Sequence, residues 1–389
     1  MHKSYCLCKS VTFEVIGDLP PPTAWEADGF LCSRLQRFLG RDLLGDGMSA
    51  KLKIYVTKII RQFLMLLTSW CLGACQTNQI SRKPQDLETF QFRSAVWVNL
   101  HHYLYNESFR PEAHQESSIT MSSREKRQLE KAIAFYRKQF DQRDLLFDEG
   151  LKKINNQLAS KENDLNLDGL DSMDGLKSIL LDVYPIYFKY FWAHQDQENK
   201  EWIENTRSLL QSHGSLIQEK LEKILQRKFG DVPYRVDVVH EANWAGAYTS
   251  SAPSHTVISS GRKTYRDLAA LEMVFHETMH AGPINAVSKS LEEEFLAHKM
   301  ADKEQLWHAI HFFTAGEVVR GVLKAQGIEY TPYAYKNGLF SADRNWGKYG
   351  PFLKKYWLPY MEGKDSMKIA LSHIVDELAS ASPQNKATK

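Results

Sequence analysis

Apolar positions along this chain change period twice, and the changes divide it. From Ser122 the spacing is helical: Leu129, Ile133, Tyr136 and Phe140 recur every three or four residues, and Ser122 with Glu125 has the form of a capping box. Residues 176–194 and 198–229 predict two longer helices, the first kinked or broken at Pro185 and the second ended by Gly230. After Gly230 the period drops to two. Tyr234–Val239 alternates like a strand, and His255–Ser259 reads as another after a turn at residues 251–254. An apolar run from Leu268 to Phe275 follows, and helical text continues through Arg320. The expected fold is α+β and mostly helical, with a small sheet preceding the helix that begins near residue 268.

That helix carries the chemistry. Residues 276–280 read His-Glu-Thr-Met-His. Residues four apart lie on one helix face, so His276 and His280 can reach a single ion, while Glu277, one step round, can address a bound water as general base. Two ligands and a base at this spacing form the zinc-hydrolase pattern. With 14 His in 389 residues, such a pentapeptide is uncommon by accident. Zinc is the expected cofactor: it lowers the pKa of bound water from near 16 to about 7, and Glu277 takes the proton.

Catalytic zinc generally needs a third protein ligand. The stretch from Glu304 to Arg320 holds the best candidates. Glu304, His308 and His311 share one helical face, and Glu317 falls on the opposite side unless Gly316 breaks the helix. His308 is chosen, because an unpaired imidazole between Trp307 and Ala309 would be costly in an apolar stretch. Glu317 and Glu304 are alternatives, Glu317 also as a group that orients a ligand imidazole, with His298 and Glu294 behind them. A second electrophile for a developing oxyanion is assigned to Tyr335, ahead of His240 and His255. Residues 243–249, which include Trp244 and Tyr248, carry small residues that allow close backbone approach. Asp164–Gly169 imitates half of a calcium loop, but position twelve is Gly175, and a turn rich in Asx residues explains it as well.

Composition narrows the context. Hydrophobic residues at 43% and charged residues at 25% are ordinary globular values. All five cysteines lie within the first 75 residues, so the body has no thiolate site, and any metal there is held by His, Asp or Glu. Beyond residue 75 there remain 40 Lys and Arg against 41 Asp and Glu, which gives no reason to expect a nucleic-acid partner.

Strands immediately before a His-Glu-x-x-His helix resemble the zincin metallopeptidases. The resemblance implies a zincin-like fold, an edge strand beside the cleft, and cleavage of a peptide or protein substrate. It also implies that residues 243–249, with Trp244 and Tyr248, line that substrate. The metzincin pattern is excluded, since Gly282 comes one place early and Ala286 stands at the final histidine position; Lys299 and Met300 break the common gluzincin spacings. Residues 48–75, with Lys51, Lys53, Lys58 and Arg61 before an apolar core and Leu72-Gly73-Ala74-Cys75 after it, resemble a bacterial lipoprotein signal. This implies a signal peptide over 48–74, lipidation of Cys75, a tether over 75–87, and a membrane contact through the lipid alone. Gln76, not Asp, follows the cysteine, which implies the periplasmic face of an outer membrane. Residues 1–22, with Cys6 and Cys8, resemble a truncated start of the glutathione-dependent formaldehyde-activating family. Residues 1–47 are therefore read as a vestigial fragment or an early start site. The zincin-like domain then spans 88–389, helical to 229, with strands and metal-site helices from 230. The alternative from another class is an inactive zincin-derived binding or scaffold lipoprotein of the envelope.

Overall fold

The computed structural model describes backbone at Lys3–Tyr5 and Thr12–Glu14, and residues 89–381 apart from 111–119, 163, 171–172, 231–232, 252 and 301–304. It divides into two compact units, residues 1–82 and 83–389. In the first, strands β1 (Lys3–Tyr5) and β2 (Thr12–Glu14) pair antiparallel with Ser4 opposite Phe13. The five cysteines, the lipoprotein-like signal and the Cys75 lipidation site lie outside the described residues. Among those described, no helix is long and apolar enough to cross a membrane.

The second unit opens with β3 (Phe90–Arg93) and helix α1 (Val96–Phe109). Helix α2 (Ser123–Gln139) starts at the expected box: the Glu125 amide donates to Ser122 Oγ at 3.3 Å, and the Ser122 amide donates to Glu125 Oε2 at 2.9 Å. Helix α3 (Glu149–Ser160) is capped by Asp148, and α4 (Leu176–Tyr187) follows. Between them the calcium-like segment is an Asx turn, its Asp164 carboxylate accepting the amides of Asn166 and Asp168. Pro185 does not break the helix. The helix continues through it to Tyr187, and a wider π turn, Phe188–Trp192, carries the helical path on into α5 (Ala193–Leu225). It stops at Gln226, which adopts the left-handed conformation four residues ahead of Gly230.

The predicted strands form as β4 (Tyr234–Val239) and β6 (Ser254–Ser259), joined by β5 (Ala247–Ser251). The four-stranded order is β3-β4-β6-β5, parallel except for the antiparallel β5–β6 pair, so β5 is an edge. The α+β expectation therefore holds, with helix predominating.

Strand alternation gives the sheet two working faces. Val236, Val238, Ala247 and Ile258 join one core with α5 and the helices that follow: α6 (Leu268–Met279), α7 (Asn285–Ala297), α8 (Leu306–Lys324) and the C-terminal α9 (Met367–Ala381). Val239, Tyr248 and Val257 join the other, built from α1 to α4. On that second face His255 Nε2 donates to the buried Asp237 carboxylate at 2.6 Å, and Arg235 braces the same carboxylate. These contacts satisfy buried charge and leave the first face to the metal-binding pattern.

Candidate metal centre

Helix α6 is buried along its length, so its polar side chains must find partners inside the protein. His276 is 2% exposed and Glu277 5%. The last turn tightens: the His280 amide bonds Glu277 and Thr278 carbonyls, which leaves the His276 carbonyl without its α-helical partner. His311 of α8 fills that role. Its Nε2 lies 2.7 Å from the His276 carbonyl, and since a carbonyl only accepts, Nε2 carries the proton and Nδ1 the lone pair. That Nδ1 is buried and has no hydrogen-bond partner.

His276, His280 and His311 bring three ring nitrogens within 4.8 Å of one another, a group that could hold a metal ion. Between His276 Nε2 and His280 Nε2 the distance is 3.3 Å. Two nitrogens at about 2.0–2.1 Å from one tetrahedral ion stand roughly that far apart. The set also supplies the usual backing for a ligand imidazole, a carbonyl that takes the opposite N–H and fixes the tautomer. All three rings are held neutral. Burial is the larger cause for each, and the neighbouring imidazoles add to it, so His276 and His311 sit well below the ordinary histidine range and His280 falls to about 3. Neutral nitrogens are what a metal requires. The residues fit a metal ion held by imidazole nitrogens.

His308 is therefore not the third member of this trio. It shares the face of His311 but sits one turn earlier, where its ring stacks on Trp307 at 4.9 Å and meets the edge of Trp346 at 5.3 Å. Glu317 is not in the trio either. The helix runs uninterrupted through Gly316, and Glu317 faces away to ion-pair with Arg320. Glu304 lies outside the described residues. Tyr335 is also displaced from its expected place: its phenol lies against Glu317, and its ring packs between Phe313, Phe340 and Lys354. His298 bonds Asp376, and His255 belongs to the Asp237 cluster on the other sheet face.

Glu277 meets the edge strand. Thr249 Oγ1 lies 2.9 Å from Glu277 Oε2 and 2.9 Å from the Thr256 hydroxyl, and 3.0 Å from the Glu277 carbonyl. Burial raises the Glu277 carboxyl to about 8, against the smaller opposite pull of the Thr249 hydrogen bond. Five residues earlier on α6, Glu272 is likewise raised to about 7 by burial, and it accepts from Tyr330 and from the Tyr333 amide. Tyr265, whose hydroxyl donates to Ala245, is a buried phenol within the electrostatic reach of Tyr333 and Glu277.

Tyr248 cannot line a substrate beside Glu277. It precedes Thr249 on β5, so alternation turns it to the opposite face, where its buried hydroxyl meets His102 Nε2 at 2.8 Å. Trp244 lies before the strand, 54% exposed, with its indole N–H on Asp144. The sequence reading placed His311 on the face of His308 but chose His308 over it, and it missed Thr249 as partner of the carboxyl. His311 lies between Ile310 and Phe312, where the apolar-context argument applied to His308 holds with more force. Thr249 had only strand alternation to mark it.

Comparison with known proteins finds no matching family model, no matching curated protein and no matching solved structure.

Proposed function

We propose that this chain is a zinc-dependent hydrolase, a metallopeptidase that cleaves peptide or protein substrates in the cell envelope. The observation that carries the reading is the junction of three convergent neutral imidazoles with a buried carboxyl held by an edge strand. His276, His280 and His311 would hold the ion. Bound there, zinc supplies positive charge that acidifies an adjacent water and favours the ionised form of Glu277.

The protein's own groups do the rest. Glu277 accepts a proton and later returns it to the leaving amine, and Thr249 fixes which carboxylate oxygen is free to do so. Burial of Glu277, at 5% exposure, keeps bulk water from its carboxyl. Among the described residues β5 is an edge strand with no partner on the side away from β6, and an extended peptide can add to it by main-chain hydrogen bonds. A lipid anchor at Cys75 would hold the enzyme at a membrane surface, as the lipoprotein-like signal suggests.

The test is cleavage of a mixed peptide library by the purified mature chain, alone, with a chelator, and as Glu277→Gln. Cuts made by the wild type and lost in both other arms support the reading. Cuts that survive Glu277→Gln remove it. Zinc retained with no cleavage of any peptide would favour the binding or scaffold lipoprotein instead.

A further inference from the structure

Two packed helices each present a pair of histidines to the same space. Helix α6 offers His276 and, four residues on at its C-cap, His280; helix α8 offers His308 and His311, three apart. The fourth ring is close. The His308 ring centroid lies 5.1 Å from His280, 5.5 Å from His276 and 5.8 Å from His311, while the trio's own spacings are 5.0, 4.3 and 4.1 Å. Four imidazoles bound tetrahedrally to one zinc-sized ion have centroids about 5 Å apart, given metal–nitrogen bonds of about 2.0–2.1 Å. The four rings thus already approximate a tetrahedron, with His308 set slightly back. It is set back with a nitrogen to spare: His308 Nε2 is buried and bonds to nothing among the described residues. An orphaned buried acceptor or donor is costly, and a native structure seldom leaves one without a use.

We propose that His308 is a fourth, exchangeable metal ligand that closes the centre, so that the protein alternates between a shut four-imidazole state and an open three-imidazole state. This inference rests on the metal-binding reading above and adds to it a built-in restraint on access. In the closing step one bond forms, from the His308 Nε2 lone pair to the ion, and one breaks, as a water leaves to solvent; no electron or proton changes hands. The ring is placed for this motion. His308 sits in the first turn of α8, three residues after Gln305, which adopts a left-handed backbone conformation, and its ring lies flat on Trp307 with Trp346 edge-on to it. Opening then consists of its return to the indole stack, and a substrate group that competes for the fourth position must displace it.

Cobalt(II) loaded into the whole mature chain tests this without reference to turnover. X-ray absorption should count four nitrogen donors in the wild type and three with a solvent oxygen in His308→Phe, which keeps the ring and its stack. Azide, which binds only an open position, should bind the wild type at least about tenfold more weakly than the variant if the open state is about a tenth of the population or less. A second variant, His308→Gln, guards against a packing fault in the first; each is checked for a native melting transition. Equal azide affinity and equal donor counts in all three proteins overturn the proposal and leave the three-histidine centre standing. Failure of the wild type to bind cobalt or zinc at all overturns the metal centre itself, and His308's role with it.

Discussion

At the scale of single residues, Glu277 and Thr249 carry the sharpest expectations. Replacement of Glu277 by Gln should lower kcat by about 10²- to 10⁴-fold, the range of a lost general base, with zinc content unchanged by metal analysis. Thr249→Val keeps the side-chain shape but removes the donor on Glu277 Oε2. Loss of a hydrogen bond to a charged group is worth about 1.5–3 kcal/mol, so kcat should fall by about tenfold or more, with zinc stoichiometry again unaltered. A Thr249→Val enzyme of wild-type kcat would separate that hydroxyl from the chemistry. The pair His276 and His280 was legible because their relation is local and is set by helix geometry alone. Thr249 was not, because its partner lies on another element and only the sheet register brings them together.

Between elements, the question the sequence left open was one of rotation. His308 and His311 share a face of α8, and only the seating of α8 against α6 decides which reaches the tightened end of α6. Gly316 sets that seating. A Cβ there would stand 2.6 Å from Pro332 Cβ and 3.2 Å from Glu272 Oε1, so the residue serves close approach and leaves the helix unbroken. Gly316→Ala should therefore destabilise by about 1–3 kcal/mol, read as a lower chemical-denaturation midpoint, and should weaken zinc binding because α8 must shift. Strands β4 and β6 and the start of α2 were readable, since alternation and a capping box are patterns of a few residues. Strand β3 was not: its four residues begin an aromatic segment whose role appears only when β4 pairs with it.

For the whole molecule, buried neutral imidazoles and buried carboxyls make stability depend on metal and on pH. Zinc at a hundredfold excess over its Kd should stabilise by about 2.7 kcal/mol, seen as a chelator-reversible rise in Tm. In chelator, the unfolded chain's histidines take protons below 6.5 and the folded trio does not, so stability climbs as pH rises to about 6.5. The carboxyls act in the opposite sense. Glu277 holds its proton to about 8 and Glu272 to about 7, while their unfolded forms ionise near 4.5, so stability declines as pH rises toward about 8. Between pH 6.5 and 8 the carboxyl effect is joined by His298, which its bonds to the Glu294 carbonyl and Asp376 raise above the ordinary histidine range and which acts in the same sense, and Tm should fall. Glu277→Gln should flatten that decline; a variant curve parallel to the wild type would show that Glu277 is not the group responsible.

The helical path from Leu176 to Leu225 gives residues to both cores, Leu176 to Phe191 on one side of the sheet and Trp202 to Leu225 on the other. A beam embedded in two foundations cannot release one and keep the other intact. Heat should therefore melt residues 83–389 in a single calorimetric step whose van't Hoff and calorimetric enthalpies agree, and damage to the α1–α4 side should be felt at the histidines without any contact between them.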